Sequence, residues 1–125
     1  MDNPISKIEA ADDGRIRVFP KNINSIFEYV YRAAAGVYWN KELQCFQSSN
    51  PNNWDNWDHK DWFIQILSAV KSELGEKLVL TNDTIFEKNV IDFEDEIREA
   101  YSNYRTKSAK KYISNTQSDK RMKPD

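Results

Sequence analysis

The stretch Asp58–Thr81, DHKDWFIQILSAVKSELGEKLVLT, decides the fold predicted for this chain. Asp58 can accept hydrogen bonds from the free amides of a first helical turn, and Gly75 can end the helix in the left-handed conformation. The residues Leu78–Leu80 then predict a short strand. Between the two helix ends, apolar side chains recur three and four positions apart, as on one face of a helix of 3.6 residues per turn: Trp62, Phe63, Ile66, Leu67, Val70 and Leu74.

The rest of the chain is predicted from the same kinds of pattern. Residues 1–14 look like a loose start, and the segment after them alternates charged and apolar residues as a half-buried strand does. Ser25 and Glu28 fit a capping box at the start of a helix. The apolar stripe of this helix consists of Ile23, Ile26, Phe27, Val30 and Ala34. In chain order, the predicted elements are the strand Arg15–Phe19, a helix within Asn24–Ala35, hairpin strands Val37–Asn40 and Leu43–Gln47, the helix and strand of the opening stretch, a short edge strand Thr84–Phe86, and a helix from Asp92 to about Tyr112.

This order predicts the α+β class, with an antiparallel or mixed sheet of about four strands and helices packed on it. The first six elements match the ferredoxin-like arrangement β-α-β-β-α-β, and an additional C-terminal helix is expected to cover an edge or the open face. A chain of 125 residues suits one domain, so residues 1–113 are assigned to a single α+β domain. The polar residues 114–125 are predicted to be a disordered tail.

Composition and charge limit the class of protein. A single cysteine, Cys45, excludes an intrachain disulfide and favours a reducing compartment, and the apolar runs are too short to span a membrane. We therefore expect a cytoplasmic protein without a membrane partner. Residues 1–104 hold 11 Lys and Arg against 18 Asp and Glu, whereas residues 105–125 hold 7 against 2. The acidic body disfavours nucleic acid and attracts a basic partner, while the basic tail is either solvated or contacts phosphate.

The loop SSNPNNWDNW, residues 48–57, holds the densest group of functional-looking side chains. Exposed Trp rings beside Asn and Asp suit a protein partner or a sugar ring, which makes Trp54, Asp55, Trp57 and Asp58 candidate partner-binding residues. Alternatively, the Trp residues fold back on the core while Asp58 caps the helix. A metal site is the third interpretation, but the group lacks the Gly and Glu of a calcium loop and the Cys/His spacing of zinc. We predict no metal and no cofactor.

Three tyrosines give a second candidate site. We consider Tyr38, Tyr101 and Tyr104 as the lining of an aromatic pocket between the sheet and the last helix, with packing against the core as the alternative. The sequence contains no P-loop, dinucleotide fingerprint, zinc motif, nucleophile elbow or helix-turn-helix. One histidine and one cysteine leave most acid–base and nucleophilic schemes without their usual groups. A non-enzymatic protein is therefore favoured over an enzyme.

The number of aromatic residues bears on assembly. Sixteen aromatic side chains in 125 residues are more than one small core readily hides. The hairpin Val37–Gln47 and the Trp54/Trp57 loop hold the surplus, and large exposed apolar patches usually mark an interface. We therefore predict a homodimer with the hairpin or the Trp loop at its seam.

The run from Ile26 to Tyr101 resembles small α+β proteins encoded on mobile integron gene cassettes. The matching elements are AAAGVYWNKELQCF, the Trp-rich turn before WFIQIL, and SELGEKLVLTNDTIF. The resemblance implies a compact, often oligomeric protein of undefined activity and supplies no functional residues. The small size, acidic body and aromatic loop are also similar to bacterial toxin-immunity proteins.

These observations lead to two hypotheses about function. The first is a non-enzymatic binding protein of a mobile gene cassette that acts through a protein–protein surface, for example in the manner of an immunity protein or antitoxin. The alternative is a small-ligand-binding domain or enzyme that uses the tyrosine pocket.

Overall fold

The computed structural model describes residues 2–49, 58–87 and 89–114, the last eight of these by their backbone alone. Within these residues a six-stranded mixed sheet is packed against two α-helices and a long 3₁₀ helix, which confirms the α+β class. In chain order the elements are β1 (Asp2–Ala10), β2 (Ile16–Pro20), the 3₁₀ helix (Ser25–Ala33), β3 (Val37–Asn40), β4 (Cys45–Ser48), α1 (His59–Leu74), β5 (Lys77–Val79), β6 (Ile85–Phe86), a 3₁₀ turn (Ile91–Phe93) and α2 (Glu94–Ser114).

The order of strands in the sheet is β3-β4-β2-β1-β5, and β6 also pairs with β1. β1 is antiparallel to β2 and parallel to both β5 and β6. The ferredoxin-like arrangement places the second strand of the hairpin between the first hairpin strand and the predicted strand Arg15–Phe19. The structure has these neighbours, because β2 and β3 both pair with β4. On the other side the arrangement differs, since β1 lies between β2 and β5.

The expectation of a loose start before Asp12 was wrong, because β1 is the longest strand of the sheet. Its alternation is broken by an irregularity between Ile5 and Lys7, so Ile5 and Ile8 are both buried although they are three positions apart. A bulge of this kind shifts the side chains after it to the other face. The period-2 signal of a strand was therefore absent from the sequence.

The helix predicted within Asn24–Ala35 is a 3₁₀ helix, and its cap is Asn24 rather than Ser25. The Asn24 side chain accepts a hydrogen bond from the Ile26 amide at 3.1 Å. A 3₁₀ helix has three residues per turn, so only positions three apart share a face. Phe27 and Val30 therefore face the core together, while Ile26 of the expected stripe is left exposed.

α1 confirms the prediction from the opening stretch. Asp58 caps it through a reciprocal pair of hydrogen bonds with Asp61, and Gly75 ends it at φ 69°. Burying the apolar stripe of this helix against the sheet forms the centre of the core. The buried members of that stripe are Trp62, Phe63, Ile66, Leu67 and Val70, whereas Leu74 is partly exposed.

α2 packs on α1 through its first half. Ile97 is fully buried, and the ring of Tyr101 lies 6.4 Å from that of Phe63. Arg98 joins α2 to the turn after β5, because its Nη1 donates to the Thr81 carbonyl at 3.1 Å. Among the helices in the described ranges, none is both long and apolar enough to cross a membrane. Of the predicted tail, residues 114–125, Ser114 is the last residue of α2, and residues 115–125 lie outside the described residues.

Candidate functional site

Of the four predicted partner-binding residues, the structure describes Asp58, while Trp54, Asp55 and Trp57 lie outside the described residues. The Asp58 carboxylate accepts from the Lys60 ammonium at 2.7 Å and from the Asp61 amide at 3.3 Å. Burial alone would raise the pKa of Asp58, but these hydrogen bonds outweigh it and hold the pKa below its usual value. Asp58 is therefore an ionised helix cap.

His59 begins α1 beside the 3₁₀ turn that precedes α2. Its ring meets the ring of Phe93 edge to face, with 4.9 Å between centroids. Burial lowers the pKa of His59 below 6.5, and the charges of Asp58 and Glu96 only partly oppose this shift. A neutral imidazole packed on an aromatic ring joins the start of α1 to the start of α2.

The three predicted pocket tyrosines lie in two separate places. Tyr101 and Tyr104 are on α2, where Tyr101 is buried and Tyr104 is half-buried. Tyr38 is on β3 at one edge of the sheet, and its side chain is 52% exposed. Among the described residues, Tyr104 lines the larger of two grooves at α2 and Tyr101 lines the smaller one, whereas Tyr38 lines neither.

The larger groove is open, has a volume of about 590 Å³ and lies between α1 and α2. Ile64 and Ala100 supply its apolar surface, and Lys60 and Asp61 stand at the end nearest the start of α1. From the described residues the groove offers one ammonium, one carboxylate and several neutral hydrogen-bonding groups to a ligand. The described residues of its lining are Lys60, Asp61, Ile64, Ala100, Asn103, Tyr104 and Thr106.

The face of the sheet opposite α1 carries a group of paired charges. Arg17 donates to the buried Glu9 at 2.8 Å, and Lys7 lies between Glu9 at 3.7 Å and Glu87 at 3.6 Å. Burial raises the pKa of the neighbouring Cys45 to about 12, although the charge of Arg17 lowers it in part. Cys45 thus remains a protonated thiol at neutral pH and is a poor nucleophile. In the described part of the chain no three His, Cys, Asp or Glu side chains are grouped as metal ligands would be.

The 3₁₀ helix creates one exposed surface that was not predicted from the sequence. Ile26, Tyr29 and Arg32 are three positions apart and so form one row along this helix, with Tyr31 beside them. The guanidinium of Arg32 lies 4.5 Å from the centre of the Tyr29 ring. Ile26 is 39% exposed and Tyr29 41% exposed. We call Ile26, Tyr29, Tyr31 and Arg32 the 3₁₀ surface. A three-residue period in the sequence could have indicated it.

Comparison with known proteins places the chain in a family. The family described as Integron Cassette Protein Hfx_Cass5 matches residues 3–84. The chain belongs to the Hfx_Cass5 integron cassette protein family. A solved structure of the integron cassette protein Hfx_Cass5, from the mobile metagenome of the North West Arm sewage outfall, is 34% identical, with a TM-score of 0.37. The match covers 80% of this chain and 95% of that one. Among curated proteins, none matches.

Membership of the Hfx_Cass5 family confirms the resemblance found in the sequence. The matched span runs from the beginning of β1 to the turn before β6, and it includes the 3₁₀ surface and the hairpin of β3 and β4. α2 lies beyond that span, and with it the groove residues Ala100, Asn103 and Tyr104. Residues 3–84, which the family description matches, thus hold the whole 3₁₀ surface and only one side of the groove.

Proposed function

We propose that this chain is a non-enzymatic binding protein of a mobile gene cassette, and that it acts through a protein–protein surface. The observation that supports the proposal is the 3₁₀ surface. Two tyrosines and an isoleucine, each more than a third exposed, lie on one short helix. Exposed apolar groups that adjoin one another in this way usually mark an interaction site.

The chemistry of the 3₁₀ surface suits a protein partner. Tyrosine offers a large, rigid apolar ring with a hydrogen-bonding hydroxyl, and both Tyr and Arg are enriched among the residues that dominate binding energy. The contact with Arg32 already orders the Tyr29 ring, so less side-chain freedom is lost on binding. The acidic body of the chain, with 18 Asp and Glu against 11 Lys and Arg in residues 1–104, would attract a basic partner.

The test of this surface is co-purification with a partner encoded next to the gene, as for an immunity protein and its toxin. We expect Ile26→Asp and Tyr29→Asp to abolish co-purification, because each puts a charge into the apolar contact. Ile85→Asp is the matched control, since Ile85 is 55% exposed but lies on β6, away from the 3₁₀ helix. A complex that survives both substitutions contradicts the proposal, as does turnover of a small molecule by the purified protein.

We also propose that the partner-binding region has a second part, which consists of Trp54, Asp55, Trp57 and Asp58. Their contribution is separable from that of the 3₁₀ surface by the double variant Trp54→Ala, Trp57→Ala in the same co-purification. Loss of the partner would assign the loop a role in binding. Retention of the partner would restrict the site to the 3₁₀ surface.

Self-association is part of the same proposal. We propose a homodimer in the cytoplasm, with the hairpin of β3 and β4 or the Trp54/Trp57 loop at its seam. Tyr38 on β3 supports the hairpin, because a tyrosine with half its surface exposed is a common interface residue. Light scattering at tens of micromolar gives the mass directly, and the mass of a single 14.7 kDa chain would refute the dimer.

The groove between α1 and α2 supports the alternative, a small-ligand-binding domain. Its volume of about 590 Å³ falls within the range of ligand sites, and it combines an apolar surface with a few polar groups. A ligand-shift melting screen separates the two functions, because a ligand that binds only the folded chain raises the melting temperature. Ala100→Trp would fill the groove. A ligand that raises the melting temperature of the wild-type chain but not of this variant would favour the ligand-binding function.

A further inference from the structure

The outer edge of β3 carries backbone groups that β4 does not use. β3 stands at one end of the sheet order, and among the described strands only β4 pairs with it. Hydrogen-bonded and non-hydrogen-bonded pairs alternate along an antiparallel ladder. Because the Ser49 amide donates to the Gly36 carbonyl at 2.8 Å, the backbone groups of Tyr38 and Asn40 also face β4. The amides and carbonyls of Val37 and Trp39 therefore point to the open edge.

The composition of β3 does not protect that edge. Natural edge strands commonly carry lysine, proline or a bulge, each of which discourages pairing with another strand. β3 reads Val-Tyr-Trp-Asn, which contains no charge and no proline, and its pairing with β4 is regular over all four residues. An unprotected strand of this kind is a template for a further strand.

We propose that β3 pairs antiparallel with β3 of a second copy about a two-fold axis, so that the two sheets become one. This inference rests on the proposed homodimer and specifies its seam. In the register centred on Tyr38, Val37 lies opposite Trp39 of the second copy, and each such pair exchanges both of its N–H···O bonds. Tyr38 then lies opposite Tyr38 of the second copy as a non-hydrogen-bonded pair, in which the side chains approach most closely.

A second copy fits this edge better than an unrelated strand because of Tyr38. This residue is 52% exposed, and the proposed register makes the two Tyr38 rings a cross-strand aromatic pair on the face opposite α1. Each ring then buries apolar surface that is exposed to water in the single chain.

The first test places a charge on the two-fold axis. Tyr38→Lys would oppose two ammonium groups, so we expect light scattering at tens of micromolar to change from the mass of two chains to that of one. Ile85→Lys is the matched control, because Ile85 is 55% exposed on the same face but lies on β6. It should remain a dimer. Thermal melting of both variants verifies that each is folded.

The second test does not depend on the stability of Tyr38→Lys. Tyr38→Cys should form an intermolecular disulfide on mild oxidation, because opposite non-hydrogen-bonded residues have Cβ atoms close enough for one. Ile85→Cys should not. A wild-type chain that is monomeric overturns the homodimer and this seam together. A dimer that tolerates Tyr38→Lys, or that yields no disulfide in Tyr38→Cys, overturns the seam alone and leaves the protein-binding function standing.

Discussion

The substitution Ile66→Ala tests the core directly. Ile66 is fully buried at the centre of the α1 stripe, among side chains that include Phe63 and Val70. The substitution removes three carbon atoms, each worth about 0.8 kcal/mol of transfer free energy when buried. The cavity left behind adds to this, so we expect the free energy of unfolding to fall by about 2–5 kcal/mol.

The matched control for this prediction is Ile64→Ala. Ile64 is the same residue type on the same helix, but it is only partly buried because it lines the groove between α1 and α2. Its truncation should cost less than about 1.5 kcal/mol, since water already reaches part of the side chain.

Urea unfolding followed by tryptophan fluorescence or circular dichroism measures both values. The slope of the free energy against urea should stay constant, so that a shift of the midpoint reports stability alone. Equal losses for Ile66→Ala and Ile64→Ala would refute the assignment of the buried face of α1. A loss below about 1 kcal/mol for Ile66→Ala would refute the estimate of the cavity term.

Three further predictions concern single sites. Because burial lowers the pKa of His59 below 6.5, the unfolded chain takes up a proton at a higher pH than the folded chain does, so the free energy of unfolding should fall as the pH drops from about 7 to about 5. His59→Asn should remove the contribution of this histidine to the dependence of stability on pH. Cys45, with a pKa raised to about 12 by burial, should react with a thiol reagent at pH 8 at least ~100-fold more slowly in the native protein than in urea. Gly36→Ala should lower the free energy of unfolding more than Gly75→Ala in the same urea assay, because both positions have positive φ but only at Gly36 would a Cβ lie 3.0 Å from the Ser49 hydroxyl. Equal losses of stability would show that the contact with Ser49 relaxes freely.

Local pattern was sufficient to predict α1 and its ends. The stripe of this helix is long, its period is 3.6, and Asp58 and Gly75 have the cap geometry that their types suggest. The hairpin of β3 and β4 was also predictable, because its strands are adjacent in sequence. The 3₁₀ helix was not, since residues three apart satisfy both an α-helical and a 3₁₀ period over so short a segment. β1 was missed because the irregularity after Ile5 removes the alternation on which a strand prediction depends.

The candidate sites depend on contacts that are remote in sequence, which is why they were harder to predict. Tyr38 lies apart from Tyr104 because the strand order puts β3 at one end of the sheet. The pairing of Arg17 with Glu9 requires β1 beside β2, and β1 was not predicted. The 3₁₀ surface follows from a change of helical period, and the open edge of β3 follows from the sheet order. Neither is encoded in any one short motif.

The position of β1 has a consequence for how the chain acquires its structure during synthesis. β1 leaves the ribosome before the other strands of this sheet, yet it pairs on one side with β5 and β6, and the Thr84 hydroxyl donates to the Ile5 carbonyl across 79 positions of sequence. Until Lys77 and the residues after it are made, the edge of β1 that faces away from β2 has no partner strand. Nascent chains therefore expose an interior strand edge to their neighbours on a polysome, which is a route to aggregation. A message truncated before β5 would leave β1, the longest strand, as an exposed edge of the sheet.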